Sequence, residues 1–434
     1  QEAILQSAAS KTLTLVNGPP GTGKSFTIAA IAADRLSKGE TVLIAAKNEQ
    51  AVNVIADKLE RDFELPDIAI RANRSDYRKH LRRRIKDWLN GLGMKYVYPA
   101  EMKRQKIELE SRQREVATLQ QQLEARIDRA LSKQQLLSKS RLNLWQSWQR
   151  WWLKRDVYKQ VLFWEEHQQL ELRREQLQQA GKQDLQALFF RRLNRAFRAH
   201  RQELQTVWEA LRTQTGSEKE RYFQQIDFKK LLQALPVWLV DTAHIHEVLP
   251  LERELFDLVI IDEATQCDIA SALPLLQRAK RAVIVGDPKQ LRHVSFLSRA
   301  RQMALADQFG LPTNYRREIG RALSYRDSSL LDLVSARIDD QQDIILLDEH
   351  FRSLPELIHF SNRHFYRSQL KIMTADPSAK QERCIHFNRI NGQRDNKGYN
   401  ERETNAIIRR IKSIIRQEED LSPELCQSIG VLSP

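Results

Sequence analysis

The sequence predicts an α/β fold of parallel sheets covered by helices on both faces, interrupted by a long all-α insertion. Two observations point to the sheets. Short apolar runs that end in polar residues alternate with helical stretches near both ends of the chain. A glycine-rich turn, GPPGTGKS at 18–25, joins the first such run to a helix. The third observation is a change of pattern between residues 71 and 236, where heptad-spaced apolar residues take over. With 434 residues, 41% apolar and 29% charged, the chain can bury sizeable cores and is expected to hold about three domains.

Taken in order, Leu13–Asn17 reads as a strand, Ser25–Leu36 as a helix and Val42–Ala46 as a second strand. A helix follows from Gln50 to Arg61. Beyond the insertion come three apolar runs, Val237–Val240, Leu258–Asp262 and Ala282–Val285. Residues 1–70 and 237–335 are therefore expected to build one discontinuous domain. Alternation resumes with Ile344–Leu347, Ile385–Ile390 and Ile429–Leu432, which reads as a partial second domain over 343–434. Gln1 opens the sequence in place of Met and SIGVLSP closes it, so the chain reads as a piece of a longer one.

The insertion carries the charge. Residues 71–230 hold 36 Lys and Arg against 19 Asp and Glu, whereas the whole chain is only +14. An anionic polymer, nucleic acid before membrane, is the expected partner of such a field. A heptad ladder runs through Met102, Leu109, Val116, Leu123, Ala130, Leu137 and Leu144. A second helical run from Val157 to Leu211 offers a returning partner, so 71–236 reads as an antiparallel coiled-coil stalk. Gly181 and Thr213–Ser217 read as helix breaks. Trp145, Trp148, Trp151 and Trp152 lie among Arg141, Arg150, Lys154 and Arg155 at the tip. Such a cluster can stack bases, but a self-packed tip or a docking patch for a protein partner is the better reading.

Other classes find no support. No apolar span reaches membrane-helix length. Cys267, Cys384 and Cys426 are too dispersed for a disulfide scaffold or zinc ribbon, which fits a reducing, cytoplasmic setting. His244 and His246 read as structural.

GPPGTGKS matches the phosphate-binding pattern G-x-x-x-x-G-K-[ST], with a strand before it and a helix after. Gly18, Pro20, Gly21, Thr22 and Gly23 would form the nucleotide-binding loop, whose glycines let backbone N–H groups close around phosphate oxygens at a helix N-terminus. Lys24 would reach the β- and γ-phosphates, and the Ser25 hydroxyl would ligate Mg²⁺. LVIIDEATQ ends a buried run with Asp262 and Glu263. A strand delivers its last residues to the ligand-binding edge of the sheet, so Asp262 would share the metal with Ser25. Glu263 would orient and deprotonate an attacking water. VIVGDPKQL then brings Gln290 to the same edge, within reach of the γ-phosphate.

GPPGTGKS, DEATQ and GDPKQL, in that order and around an inserted stalk, resemble the superfamily 1B helicases of the up-frameshift and senataxin group. The resemblance implies two tandem RecA-like domains, the second incomplete here. It also implies ATP and Mg²⁺ as cofactors and 5′ to 3′ movement on single-stranded DNA or RNA. Gln1 resembles the adenine-reading glutamine, and Phe26 follows the phosphate loop. AKNEQAVN at 46–53 resembles the segment that touches the nucleic-acid backbone, implicating Lys47 and Asn48. LVDTA implicates Thr242 more loosely. In LDEHFRSLPELIHFSNRHFY at 347–366, Arg352 is implied at the γ-phosphate and Phe351 on the adenine. From charge alone, Arg82, Arg83 and Arg84 are candidates for phosphate contacts.

Two departures stand out. QLRH replaces a paired-proline tail, and His350 stands in place of a glutamine. The chain also stops where relatives continue into two further motifs, one of which supplies a second arginine. This fragment is therefore expected to bind nucleotide and hydrolyse it poorly. The rival reading is a nucleotide-switched nucleic-acid-binding or scaffold ATPase with a coiled-coil arm. A chromosome-maintenance ATPase lacks its LSGGQ-like signature here, and GDPKQL argues against a simple kinase.

Overall fold

The structure is a computed structural model that describes residues 1–72, 77–91, 99–138, 157–212, 224–310, 324–338, 344–374, 384–396, 398–418 and 428–432. The tryptophan-rich segment 145–152, Thr213–Ser217 and Cys426 lie outside the described residues.

Seven strands form one all-parallel sheet: β1 Leu13–Asn17, β2 Val42–Ala46, β3 Ala69–Arg71, β4 Val237–Asp241, β5 Phe256–Ile261, β6 Ala279–Gly286 and β7 Ile344–Leu346. Their order is β3-β4-β2-β5-β6-β1-β7. The central strands are buried along almost their whole length, as expected where helices cover both faces of a parallel sheet. Early in the chain lie α1 Glu2–Ser10, α2 Lys24–Ser37 and α3 Glu49–Arg61. Ile28, Ile31, Ala32 and Leu36 of α2 and Val52, Ile55 and Leu59 of α3 sit at 3–4 residue spacing and are fully or nearly fully buried.

Three local readings need correction. Ile344–Leu347 does not open a second sheet, because β7 pairs in parallel with β1 from Leu15↔Ile344 to Asn17↔Leu346. The apolar run fits the open edge beside β1, and a short run cannot announce which edge it will join. Ile385–Ile390 and Ile429–Leu432 are not strands. Among the described residues no neighbouring strand supplies them a ladder, and isolated β-prone segments are not stable. Finally, β3 has no counterpart among the runs legible in the sequence, because three residues are too few to display a period.

The insertion begins with α4 Tyr77–Leu89 and two long helices, α5 Pro99–Ser138 and α6 Val157–Ala199, followed by α7 Arg201–Arg212. Arg112 of α5 pairs with Asp184 of α6, and Glu115 with Arg173, so the two helices run side by side in opposite directions. Gly181 lies inside α6 and does not break it. The base of the insertion is continuous with the core around the sheet: Phe189, Leu193, Phe197, Leu204 and Val207 belong to the same buried cluster as the strands. Trp88 of α4 stacks on Phe197 at 4.0 Å between ring centroids.

Between α7 and β7 run α8 Phe228–Ala234, α9 Ile245–Val248, α10 Ile269–Gln277, α11 Arg299–Gln308 and α12 Leu330–Ser335. A two-stranded parallel pair, β8 Glu349–His350 with β9 Lys371–Ile372, completes the first compact unit, residues 1–352 with 369–373. The second unit comprises 353–368 and 374–434, with helices α13 Pro355–Phe365 and α14 Glu401–Gln417.

Candidate nucleotide site

The sheet sets the site's geography. All strands are parallel, so Asn17, Ile261 and Gly286 end at one edge, and β6 alone separates β1 from β5. The loop after β1 turns through Gly21 at φ 77° and Gly23 at φ 80°, then starts α2 at Lys24. Thr22 closes the turn on the Pro19 carbonyl through its hydroxyl at 2.7 Å, and the Gly18 N–H donates to the Gly286 carbonyl at 2.9 Å. The first turn of α2 therefore directs its unpaired N–H groups and positive dipole end to the loop.

Lys24 Nζ lies 2.9 Å from Glu263 Oε1, across 239 positions of sequence. Glu263 Oε2 is buried and has no hydrogen-bond partner. The residue sits at φ 51°, a left-handed conformation that costs a non-glycine residue roughly 1–3 kcal/mol. Two contacts hold it there: its own N–H donates to Asp262 Oδ1 at 2.8 Å, and the Ala264 N–H donates to the Val285 carbonyl at 2.9 Å. Asp262 is 3% exposed. Burial pushes its carboxyl up to about 6, with Glu263 raising it further and Lys24 opposing.

A metal fits these groups. An orphaned buried carboxylate oxygen, a buried carboxylate that resists ionisation and the serine hydroxyl that follows Lys24 in the first turn of α2 are hard oxygen donors suited to a divalent cation. Among the described residues there is no ready-made cluster of three or more His, Cys, Asp or Glu. Mg²⁺ does not require one, being ordinarily held by one or two carboxylates plus substrate phosphates.

The remaining candidates divide. Gln290 donates from Nε2 to Asp287 Oδ2 at 3.1 Å, so Asp287 holds its amide at the end of β6. The Gln1 amide stands 4.0 Å from the position a Cβ would take at Gly23. The backbone N–H of Phe351 donates to the Gly21 carbonyl at 2.8 Å, while the Phe351 ring is about half exposed. A Cβ at Gly21 would meet Arg352 Cβ at 2.7 Å, so Arg352 leaves the backbone directly over the phosphate loop. Phe26 turns away, its ring 5.4 Å from that of Phe63 and under Lys58 Nζ at 5.8 Å.

His350 carries more than its place in the motif suggested. It is 1% exposed and its Nδ1–H donates to the Pro20 carbonyl at 2.9 Å. His350 thus ties the phosphate loop, while Asp287 orders the loop after β6 by accepting from the Lys289 N–H at 2.9 Å and from the Gln290 amide, and sequence offered only weak signals for either: an aspartate after a strand-ending glycine, and a departure from a familiar motif.

Of the nucleic-acid candidates, Lys47 pairs with Asp268 at 3.7 Å, and Asn48 caps α3 by accepting from the Ala51 N–H at 2.8 Å. Thr242 is buried, its N–H donating to the Ala46 carbonyl at 3.1 Å. These three gather where β2 and β4 end. Arg82 and Arg83 are exposed on α4. Arg84 instead lies over the Trp88 ring at 4.8 Å, and burial draws its guanidinium down to about 10.

Fold and loop together define a P-loop nucleotide-binding protein. The chain belongs to an AAA domain family (AAA_11), whose model matches residues 1–296. It is 28% identical over 209 residues to the Uncharacterized ATP-dependent helicase MG140 homolog of Mycoplasma pneumoniae, covering 48% of this chain and 17% of that one. Helicase SEN1 of Saccharomyces cerevisiae is 32% identical over 127 residues, 29% of this chain and 5% of that one. The probable helicase senataxin of Homo sapiens is 26% identical over 191 residues, 41% of this chain and 6% of that one. The chain therefore aligns with 17% or less of the length of each of these relatives. The resemblance read from the motifs holds at this level: the chain is a distant relative of superfamily 1 helicases.

Proposed function

We propose that this chain is the ATP-binding core of a superfamily 1B helicase or translocase that couples ATP hydrolysis to 5′ to 3′ movement on single-stranded DNA or RNA. The observation that carries the reading is the pairing of Lys24 with Glu263 beside buried Asp262, at the mouth of a phosphate loop. Lys24 is held by a carboxylate that a triphosphate would displace. Glu263, released from the lysine, would then orient a water and take its proton. Ser25 and Asp262 would hold Mg²⁺, which supplies charge neutralisation at the β- and γ-phosphates. Gln290, steadied by Asp287, and Arg352 would contact the γ-phosphate, while Gln1 and Phe351 would border the base. Lys47, Asn48 and Thr242 would meet the nucleic-acid backbone at the same sheet edge, with the α5–α6 pair as a coiled-coil arm.

A fluorescent ATP analogue should bind in the presence of Mg²⁺, and Lys24→Ala should weaken it roughly a hundredfold. Undiminished affinity of that variant would sink the assignment. Steady-state turnover with a single-stranded oligonucleotide then separates motor from switch. Binding without turnover by the complete protein would favour the nucleotide-switched scaffold.

A further inference from the structure

The far end of α2 is held by the insertion. Arg192 of α6 donates from Nη1 to the carbonyls of Leu36 at 3.2 Å and Ser37 at 2.6 Å, the last carbonyls of the helix that begins at Lys24. The contact requires Gly39. That residue sits at φ 83°, and a Cβ there would lie 2.6 Å from Arg192 Nη2. About two turns away along α6, Gln186 Nε2 donates to the Glu64 carbonyl at 2.7 Å, just past the end of α3. One insertion helix thus grips the far ends of both helices whose near ends carry the phosphate loop and Lys47–Asn48.

We propose that Arg192 is a positioning residue for the nucleotide: through it, α6 sets the axial placement of α2 and hence of Lys24 and Ser25. Three physical facts support this. First, a 14-residue helix is a rod about 21 Å long, buried along one face, so displacement at one end appears at the other. Second, a guanidinium at the C-terminal carbonyls and a phosphate at the N-terminal N–H groups both favour the same dipole orientation. Third, Arg192 is partly withdrawn from water, so its two bonds to the carbonyls face less competition from solvent. The inference rests on the nucleotide reading above and adds the insertion as part of the nucleotide site's support.

The test measures Mg²⁺–ATP-analogue affinity of the full chain, well below its unfolding temperature, alongside thermal unfolding. Arg192→Ala should raise Kd about threefold to tenfold, and Arg192→Lys, which keeps a cation at the carbonyls, should recover most of that loss. Arg201→Ala is the matched control, because Arg201 caps the end of α4 on the Leu89 carbonyl at 2.8 Å, away from the phosphate loop. It should lower the unfolding temperature without changing Kd. Should Arg192→Ala not fold, Arg192→Gln is read in its place. Unchanged Kd in folded Arg192→Ala, or in Arg192→Gln read in its place, or equal weakening by Arg201→Ala, overturns the inference and leaves the nucleotide site standing. A wild-type chain that binds no nucleotide removes both.

Discussion

Asp262 sits where its own ionisation is resisted. Its carboxyl titrates near 6 in the folded chain against an ordinary value of 3.8, chiefly through burial. Well below pH 3.8 both folded and unfolded states hold the proton and nothing is lost. Between there and about pH 6 the unfolded chain releases it first, so stability falls as pH rises. Above pH 6 the cost is fully present, and a divalent cation at Asp262 would relieve it. Asp262→Asn should accordingly raise the unfolding temperature of the nucleotide-free chain at pH 7.5 more than at pH 4, as thermal unfolding at both values would reveal. Its neighbour predicts a different outcome. Glu263→Gln removes the partner of Lys24 and the base for water, so nucleotide affinity should be kept or improved while hydrolysis drops by about 10²–10⁴. Single-turnover kinetics with labelled ATP measure both. These residue types were legible because a lysine after two glycines and an acidic pair after four β-formers have few other uses. Invisible in the sequence were the 2.9 Å pairing across 239 positions and the strained backbone of Glu263.

At the level of elements, α4 separates its arginines by face. Arg82 and Arg83 are exposed, whereas Arg84 packs on Trp88. Reversing the charge of Arg82 and Arg83 should weaken single-strand binding alike for all sequences and flatten its salt slope by about 0.7 for each phosphate no longer neutralised. Reversing Arg84 should instead act mainly on stability, by stranding a charge beside Trp88, Asp67 and Glu60. Filter binding across a salt series, with thermal unfolding beside it, distinguishes the two. The turn after α2 offers a stability test. Gly39→Ala forces a side chain into a left-handed residue and against Arg192, and should cost about 1–2 kcal/mol by denaturant unfolding. Helix periodicity could show that α4 is amphipathic, but not which arginine its neighbours would cover. In the second unit α14 presents Ile407, Ile408, Ile411, Ile414 and Ile415 at helical spacing, yet none of its residues is buried.

Across the whole molecule, basic charge and nucleotide chemistry occupy different stretches of sequence but share a core. Phe189, Leu193, Phe197, Leu204 and Val207 pack with the strands, so the inserted helices are rooted in the sheet's own hydrophobic cluster. The root and the shaft should therefore respond differently to excision. Replacing residues 113–183 by a short Gly-Ser turn, where Arg112 and Asp184 already meet, should leave nucleotide affinity within about threefold while reducing polyanion binding. Removing 77–212 should leave an unstable chain, because it strips that cluster. Soluble expression, thermal unfolding and nucleotide titration of the two deletions provide the comparison.

By itself the sequence determined the phosphate loop, the acidic pair, the parallel β-α alternation and the long basic helices. Each rests on local pattern: special backbone needs at glycines, apolar runs of strand length and heptad spacing. Tertiary structure decided that Ile344–Leu346 joins β1, that His350 clasps the Pro20 carbonyl, and that Arg192 caps a helix ending 155 positions earlier. Edge choice, capping by a distant side chain and the burial that lifts the Asp262 carboxyl all depend on which surfaces meet. No window of neighbouring residues contains that information, because the meeting surfaces come from stretches far apart in the chain.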